Sequence, residues 1–133
     1  MSDDELEKIR RRKVEMLIKL QSMPKEIIDI HNYDELQKLS KDFPDKIIII
    51  DFWAVWCAPC RIFTPIFEKL QQEYYKDFIF IKVNVDETPI IAQVYGITSI
   101  PTTLFLKNSK MLRKFVGVMN YETLKHILEK LIS

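Results

Sequence analysis

Residues 47–61 of this chain read IIIIDFWAVWCAPCR. Four isoleucines lead into Asp51 in a nearly continuous apolar run, which is typical of a strand buried on both faces in the middle of a sheet. The chain's two cysteines, Cys57 and Cys60, follow soon after, and a helix is predicted from about Ala58 to Tyr75. These residues therefore predict a central strand that is followed by a helix, with both thiols at the start of that helix.

Cys57 and Cys60 are spaced for reversible disulfide chemistry. The free N–H groups and the dipole at a helix start favour an anion, and a thiolate is the anion available here. Two sulfurs at this spacing can bond in a small ring and so cycle between dithiol and disulfide. We expect Cys57 to be exposed and to attack, and Cys60 to lie beneath it and to resolve the intermediate.

Two other uses of a close cysteine pair are disfavoured by the rest of the chain. A zinc site needs a second pair of ligands, and the chain offers only His31 and His126, which are isolated and far apart. A Cys–His nucleophile is disfavoured for the same reason, and it would leave the second cysteine unexplained. We therefore predict no metal site.

Composition narrows the class of protein further. A length of 133 residues suits one domain, and 20 basic against 19 acidic side chains give a net charge of +1. This balance predicts no attraction to nucleic acid or to a membrane surface. No apolar run reaches the roughly 18 residues of a membrane span, and the charged N-terminus does not resemble a secretory signal. We expect a cytoplasmic protein, in which a close cysteine pair favours catalysis or metal binding over a structural cross-link.

A helix from Ser2 to about Gln21 is predicted to precede the domain, with Ser2 and Glu5 forming a capping box. Its apolar residues repeat at a spacing like that of a coiled coil, but the repeat is too short to predict one. The basic run KIRRRK, residues 8–13, raises the alternative of an interaction or scaffold module that binds nucleic acid or an acidic partner. Because nearby acids nearly balance this run, we expect instead a solvated amphipathic helix that packs on its own domain.

The remaining elements alternate between strands and helices. Strands are predicted at 26–30, 46–53 and 78–86, and a hairpin at 102–118 turns at Asn108 and Ser109. Helices are predicted at 32–43 with Asn32 as cap, at 58–75 with a kink at Pro65, at about 88–95 with Thr88 as cap, and from Asn120 to about Ile132. This order predicts an α/β fold with three parallel strands and a closing antiparallel hairpin.

The motif DFWAVWCAPC, with SIPT downstream and Gly117 later, resembles the thioredoxin family. The resemblance implies a thioredoxin fold, in which helices flank a central mixed β-sheet. It covers residues 27–133 as the thioredoxin domain and leaves residues 1–26 as an N-terminal helical extension.

The resemblance also implies a role for the acid of the central strand. Asp51 matches the family's buried carboxylate and would act as general base for Cys60 through a water molecule. The residues support this role independently, because burial should raise the pKa of Asp51 towards the range useful for proton transfer. Lys82 matches the family's modulating lysine, and a simple Asp51–Lys82 pair is the structural alternative.

A docking surface is implied by the same resemblance. Ile100–Pro101 matches the family's cis-proline loop, whose backbone would pair with an extended target segment beside the thiols. For Trp56 we favour recognition over simple packing. The apolar patch would be completed by Trp56, Ala58, Pro59 and Gly117.

The implied function is that of a monomeric protein-disulfide reductase. Its substrates would be protein disulfides, a thioredoxin reductase-type partner would re-reduce it, and it would need no cofactor besides the Cys57–Cys60 disulfide. Family members that oxidise or isomerise disulfides tend to carry a histidine between the cysteines, whereas this chain has Ala58 and Pro59. An oxidase or isomerase would also require export, so a cytoplasmic reductant is the better interpretation.

Overall fold

The computed structural model describes the backbone of residues 2–21 and 23–132 and the side chains of residues 2–17 and 23–132. Within these ranges the helices and strands follow the predicted order. They are α1 (Asp3–Gln21), β1 (Ile28–Asp29), α2 (Tyr33–Asp42), β2 (Ile47–Trp53), α3 (Ala58–Tyr74), β3 (Phe78–Asn84), α4 (Pro89–Val94), β4 (Thr102–Lys107), β5 (Lys110–Val116) and α5 (Tyr121–Ile132).

The strands form one mixed sheet with the order β1-β3-β2-β4-β5. β1 and β2 pair in parallel with β3, and β4 pairs antiparallel with both β2 and β5. The predicted central strand, parallel set and closing hairpin are therefore confirmed. In this register Asp51 lies between Lys82 of β3 and Thr103 of β4.

β2 is buried on both faces, as its apolar run predicts. Ile48 and Ile50 pack into one hydrophobic cluster with α2 and α4, whereas Ile49 packs into a second cluster with α3 and α5. All three side chains are at most 1% exposed. Each fully buried isoleucine contributes about 1.5–3 kcal/mol of hydrophobic free energy, so the run holds the strand between two helical layers.

Local hydrogen bonds explain where several helices begin. The Asn32 side chain accepts from the Glu35 N–H at 2.9 Å, and the Asn120 side chain accepts from the Thr123 N–H at 2.8 Å. Thr88 is the N-cap of α4, as predicted, but its side chain makes no capping hydrogen bond. Its hydroxyl instead donates to the His31 carbonyl at 3.5 Å and ties the start of α4 to the loop after β1.

The hairpin turns where predicted, and two strands are shorter than predicted. Asn108 and Ser109 have φ of 52° and 64°, the left-handed pair that a two-residue hairpin turn requires. β1 comprises only two residues, although the Ile30 N–H still donates to the Lys82 carbonyl at 3.0 Å. β3 ends at Asn84, whose side chain accepts from the Asp86 N–H at 2.9 Å and so turns the chain out of the sheet.

The prediction that α1 packs on its own domain is wrong for the described side chains. Every side chain of residues 2–17 is exposed. The segment after the helix is instead anchored, since Met23 is 5% exposed and packs into the cluster on the α2 side of the sheet. Gln71 of α3 also donates to the Lys25 carbonyl at 2.7 Å.

Candidate active site

The predicted thiols lie where β2 ends and α3 begins. Cys57 is the N-cap of α3, with φ −88° and ψ 105°, and its Sγ accepts from the Cys60 N–H at 3.2 Å. The Cys57 N–H donates to the Ala54 carbonyl at 3.2 Å, which closes the turn between strand and helix. The cap position therefore holds a sulfur among the free N–H groups of the helix start, where negative charge is stabilised.

Cys57 and Cys60 are joined in a disulfide, with their Cα atoms 5.3 Å apart. The prediction that Cys57 is exposed is wrong: the residue is 4% exposed, against 1% for Cys60. The reason is packing, because both cysteines cluster with Ala54 and contact the half-buried Ile100. Cys57 is still the less buried of the two.

The loop between α4 and β4 covers the sulfur of Cys57. Its Ile100–Pro101 bond is cis, and the Ile100 carbonyl oxygen lies 3.8 Å from Cys57 Sγ. The Pro101 carbonyl accepts from the Gly117 N–H at 2.8 Å, so the turn after β5 is tied to the same loop. Gly117 has φ of +94°, a conformation that favours glycine. Three separate connections thus meet at the disulfide.

Exposed apolar residues flank the two cysteines in the chain, and two of them were not predicted. Trp56 is 68% exposed, and Ala58 and Pro59 beside it are also exposed. Sequence reasoning missed Val55, which is 68% exposed, and Ile62, which is 63% exposed. Both could have been found from the sequence, because they are apolar residues close to the two cysteines, one in the loop before α3 and one in the first turns of that helix.

Two polar contacts orient this patch. Trp56 Nε1 donates to the Asp86 carboxylate at 2.9 Å, and an Arg61 guanidinium N–H donates to the Val55 carbonyl at 2.9 Å. Sequence reasoning also missed Asp86. An acid directly after a parallel strand should lie at the same edge of the sheet as the end of the neighbouring strand, and that signal was available.

Asp51 lies inside the protein at 0% exposure. Burial raises the pKa of its carboxyl to about 7, and the positive charge of Lys82 partly opposes this shift. Lys82 makes no ion pair within 4 Å of Asp51 among the described residues; its ammonium group lies 4.9 Å from the centre of the Trp53 ring. The carboxyl is thus an acid that gains or loses its proton near neutral pH.

Comparison with known proteins agrees with this geometry. A family model described as Thioredoxin matches residues 26–130. The chain belongs to the thioredoxin family. Thioredoxins are protein-disulfide oxidoreductases, and the Cys57–Cys60 disulfide is the redox centre of this member.

Individual thioredoxins are similar to this chain over most of its length. The thioredoxin of Buchnera aphidicola subsp. Acyrthosiphon pisum (strain APS) is 41% identical over 102 residues, which are 77% of this chain and 91% of that protein. The chloroplastic thioredoxin M5 of Oryza sativa subsp. japonica is 37% identical over 107 residues, and the match spans 60% of its length. The X-ray structure of Fasciola hepatica thioredoxin has a TM-score of 0.73 at 32% identity, covering 78% of this chain and 98% of that one.

In the thioredoxin family the redox disulfide is the reactive group of the site. Thioredoxins act through this disulfide without a further cofactor, and the described residues contain no group of three or more His, Cys, Asp or Glu side chains that could hold a metal ion. In the part of the chain that the structure describes, no helix is long and apolar enough to cross a membrane.

Proposed function

We propose that this thioredoxin is a cytoplasmic protein-disulfide reductase in which Cys57 attacks and Cys60 resolves. The observation that carries the proposal is the position of Cys57 Sγ, which caps α3, accepts the Cys60 N–H and faces the carbonyl of the cis Ile100–Pro101 bond. This arrangement supports both a stabilised thiolate and a substrate chain docked beside it.

The first step is attack on a substrate disulfide. In the reduced protein the Cys57 thiolate attacks one substrate sulfur, forms a mixed disulfide and releases the other substrate sulfur as a thiolate. The helix start supports this assignment, because it offers N–H groups and a positive dipole end to Cys57. Cys60 is the more deeply buried thiol, which supports its assignment as the resolving cysteine.

The second step needs a proton acceptor for Cys60. The Asp51 carboxylate takes the Cys60 proton through a water molecule, and the resulting thiolate attacks Cys57 Sγ and releases the second substrate thiolate. The product is the Cys57–Cys60 disulfide. A carboxyl with a pKa of about 7 supports this role, because it can accept and return a proton at neutral pH. Lys82 modulates the base by opposing the rise in its pKa.

Substrate docks on the surface around Cys57. An extended target segment pairs with the backbone at Ile100 and Pro101, as a strand added beside the disulfide. The exposed apolar side chains of the patch support binding of a protein substrate. The docking residues are Trp56, Ala58, Pro59, Ile100, Pro101 and Gly117.

The cycle closes when a thioredoxin reductase-type partner returns two electrons and two protons to the disulfide. Ala58 and Pro59 place no charge between the cysteines, which supports a reductant over an oxidase. A dithiol reductant works where thiols are kept reduced, so we assign the protein to the cytoplasm. We further propose that it acts as a monomer, with residues 27–133 as the thioredoxin domain and residues 1–26 as an extension.

The proposal is tested by reduction of insulin disulfides with dithiothreitol as electron source. We expect no acceleration over dithiothreitol alone with Cys57→Ser, because the attacking sulfur is lost. We expect Cys60→Ser to accumulate a mixed disulfide with the substrate, visible by non-reducing electrophoresis. Turnover that survives Cys57→Ser would refute the mechanism.

A further inference from the structure

Two buried polar side chains face each other across β2 and β4. Asp51 and Thr103 are directly opposite in the antiparallel register, and both residues are 0% exposed. Neither carboxylate oxygen of Asp51 nor the hydroxyl oxygen of Thr103 has a hydrogen-bond partner among the described residues. Buried polar groups without hydrogen-bond partners destabilise the folded state and are rare, so the presence of two such groups opposite each other requires an explanation.

The register makes the two groups natural partners for each other. Directly opposite residues of an antiparallel pair project from the same face of the sheet, with Cβ atoms about 4.5–5.5 Å apart. The preceding pair on that face, Ile49 and Phe105, is apolar and fully buried in the cluster formed with α3 and α5. A hydrogen bond between Asp51 and Thr103 can form through a change of the threonine rotamer about Cα–Cβ or through one bridging water molecule.

We propose that Thr103 is a positioning residue for Asp51, hydrogen-bonded to its carboxyl in both protonation states. The inference rests on the proposed role of Asp51 as the base for Cys60. A threonine hydroxyl is both donor and acceptor, so it donates to the carboxylate and accepts from the carboxylic acid once the Cys60 proton has arrived. The partner is thus retained while the proton moves from the thiol to the carboxyl.

The hydroxyl also affects how strongly Asp51 holds its proton. A hydrogen bond donated to an ionised carboxylate is stronger than one made with the neutral acid, so Thr103 favours the ionised form. It acts together with Lys82 of β3, the charged group that lowers the pKa of Asp51, and against burial. Among the buried residues of α3, the one that can titrate in the reduced protein is Cys60.

The test removes the hydroxyl and keeps the shape. We expect Thr103→Val to raise the pKa of Asp51 by about one unit, which is a tenfold change in the ionisation constant. The pKa is measured in the reduced protein by carboxyl carbon NMR. At pH values below the pKa of Asp51, resolution of a preformed mixed disulfide should slow about tenfold, because the ionised fraction of the carboxyl falls with its ionisation constant. The pH profile of resolution should shift upward by the same amount.

Matched variants separate this effect from general damage. Thr103→Ser keeps the hydroxyl and should restore the wild-type pKa and pH profile. Ser40→Ala removes another buried hydroxyl without a described partner, on α2, and should change neither. If Thr103→Val is unstable, Thr103→Ala removes the same hydroxyl and is expected to give the same shift.

The two proposals fail in different ways. An unchanged pKa of Asp51 in the variants that lack the Thr103 hydroxyl would overturn the positioning role, even if Asp51→Asn slows resolution. A raised pKa in those variants would support it, even if Asp51→Asn resolves the mixed disulfide at the wild-type rate. Resolution at the wild-type rate in Asp51→Asn would refute Asp51 as the base for Cys60.

Discussion

Asp51 carries the largest electrostatic penalty identified in the site. Its carboxyl has an ordinary pKa of 3.8 and a pKa of about 7 in the folded protein, chiefly because burial disfavours the charged form. Between these pH values the folded protein binds a proton that the unfolded chain has released. Stability therefore falls as the pH rises through this window, and the full penalty applies above about pH 7.

Asp51→Asn should remove this penalty. We expect the variant to be more stable than wild type at pH 8 by a free energy of unfolding on the order of 4 kcal/mol, and to be close to wild type at pH 4. Urea unfolding of the oxidised proteins at the two pH values measures the difference. Asp77→Asn, at an exposed carboxylate after α3, is the matched control and should unfold like wild type at both. An equal gain from Asp51→Asn at both pH values would show that ionisation is not its cause.

At the scale of elements, the N-terminal extension combines a helix whose described side chains are exposed with a buried anchor at Met23. The side chains of residues 2–17 are exposed, whereas Met23 packs in the core. Deleting residues 2–17 should therefore change the free energy of unfolding by less than about 1 kcal/mol. Met23→Ala should cost about 2–4 kcal/mol, because it leaves a cavity beside β2.

Urea unfolding compares these two variants directly, and insulin reduction checks that each retains its redox centre. Both should remain active at a temperature where they are folded, since neither change touches the disulfide. A deletion as destabilising as Met23→Ala would mean that α1 packs on the domain in solution.

At the scale of the whole molecule, the proposed docking surface lies where three connections meet at one end of the sheet. They are the loop from β2 to α3, the cis-proline loop before β4 and the turn at Gly117 after β5. Trp56 projects from the first of them at 68% exposure. In the proposed docking mode a large substrate contacts this whole surface, whereas a small disulfide needs only the sulfur of Cys57.

Trp56→Ala should therefore lower kcat/KM for insulin about tenfold, mostly through KM, which corresponds to about 1.4 kcal/mol of lost contact. Turnover of a small disulfide such as oxidised glutathione should change less than twofold. Met111→Ala is the matched control, since Met111 is 52% exposed but lies at the far end of β5. Equal losses with both substrates would assign Trp56 to the chemistry rather than to docking.

The elements nearest the disulfide were well predicted from sequence, whereas the extent of β1 and the packing of α1 were not. The run of isoleucines at 47–50 predicted a strand buried on both faces, because only a central strand has two apolar neighbouring layers. β1 was predicted over residues 26–30 but comprises only two residues, since edge pairing depends on the neighbouring strand rather than on local preference. The exposure of α1 was missed because an amphipathic pattern does not reveal whether a partner surface lies within reach.

The order of elements, the central position of β2 and the location of Cys57 and Cys60 at a helix start follow from the sequence, because periodicity, turn residues and cysteine spacing are local properties. Which distant groups meet at that helix start follows from the tertiary structure alone. It brought the Ile100 carbonyl to 3.8 Å from Cys57 Sγ and set Thr103 opposite Asp51. These contacts depend on strand register and on crossings between elements far apart in the chain, which no local pattern encodes.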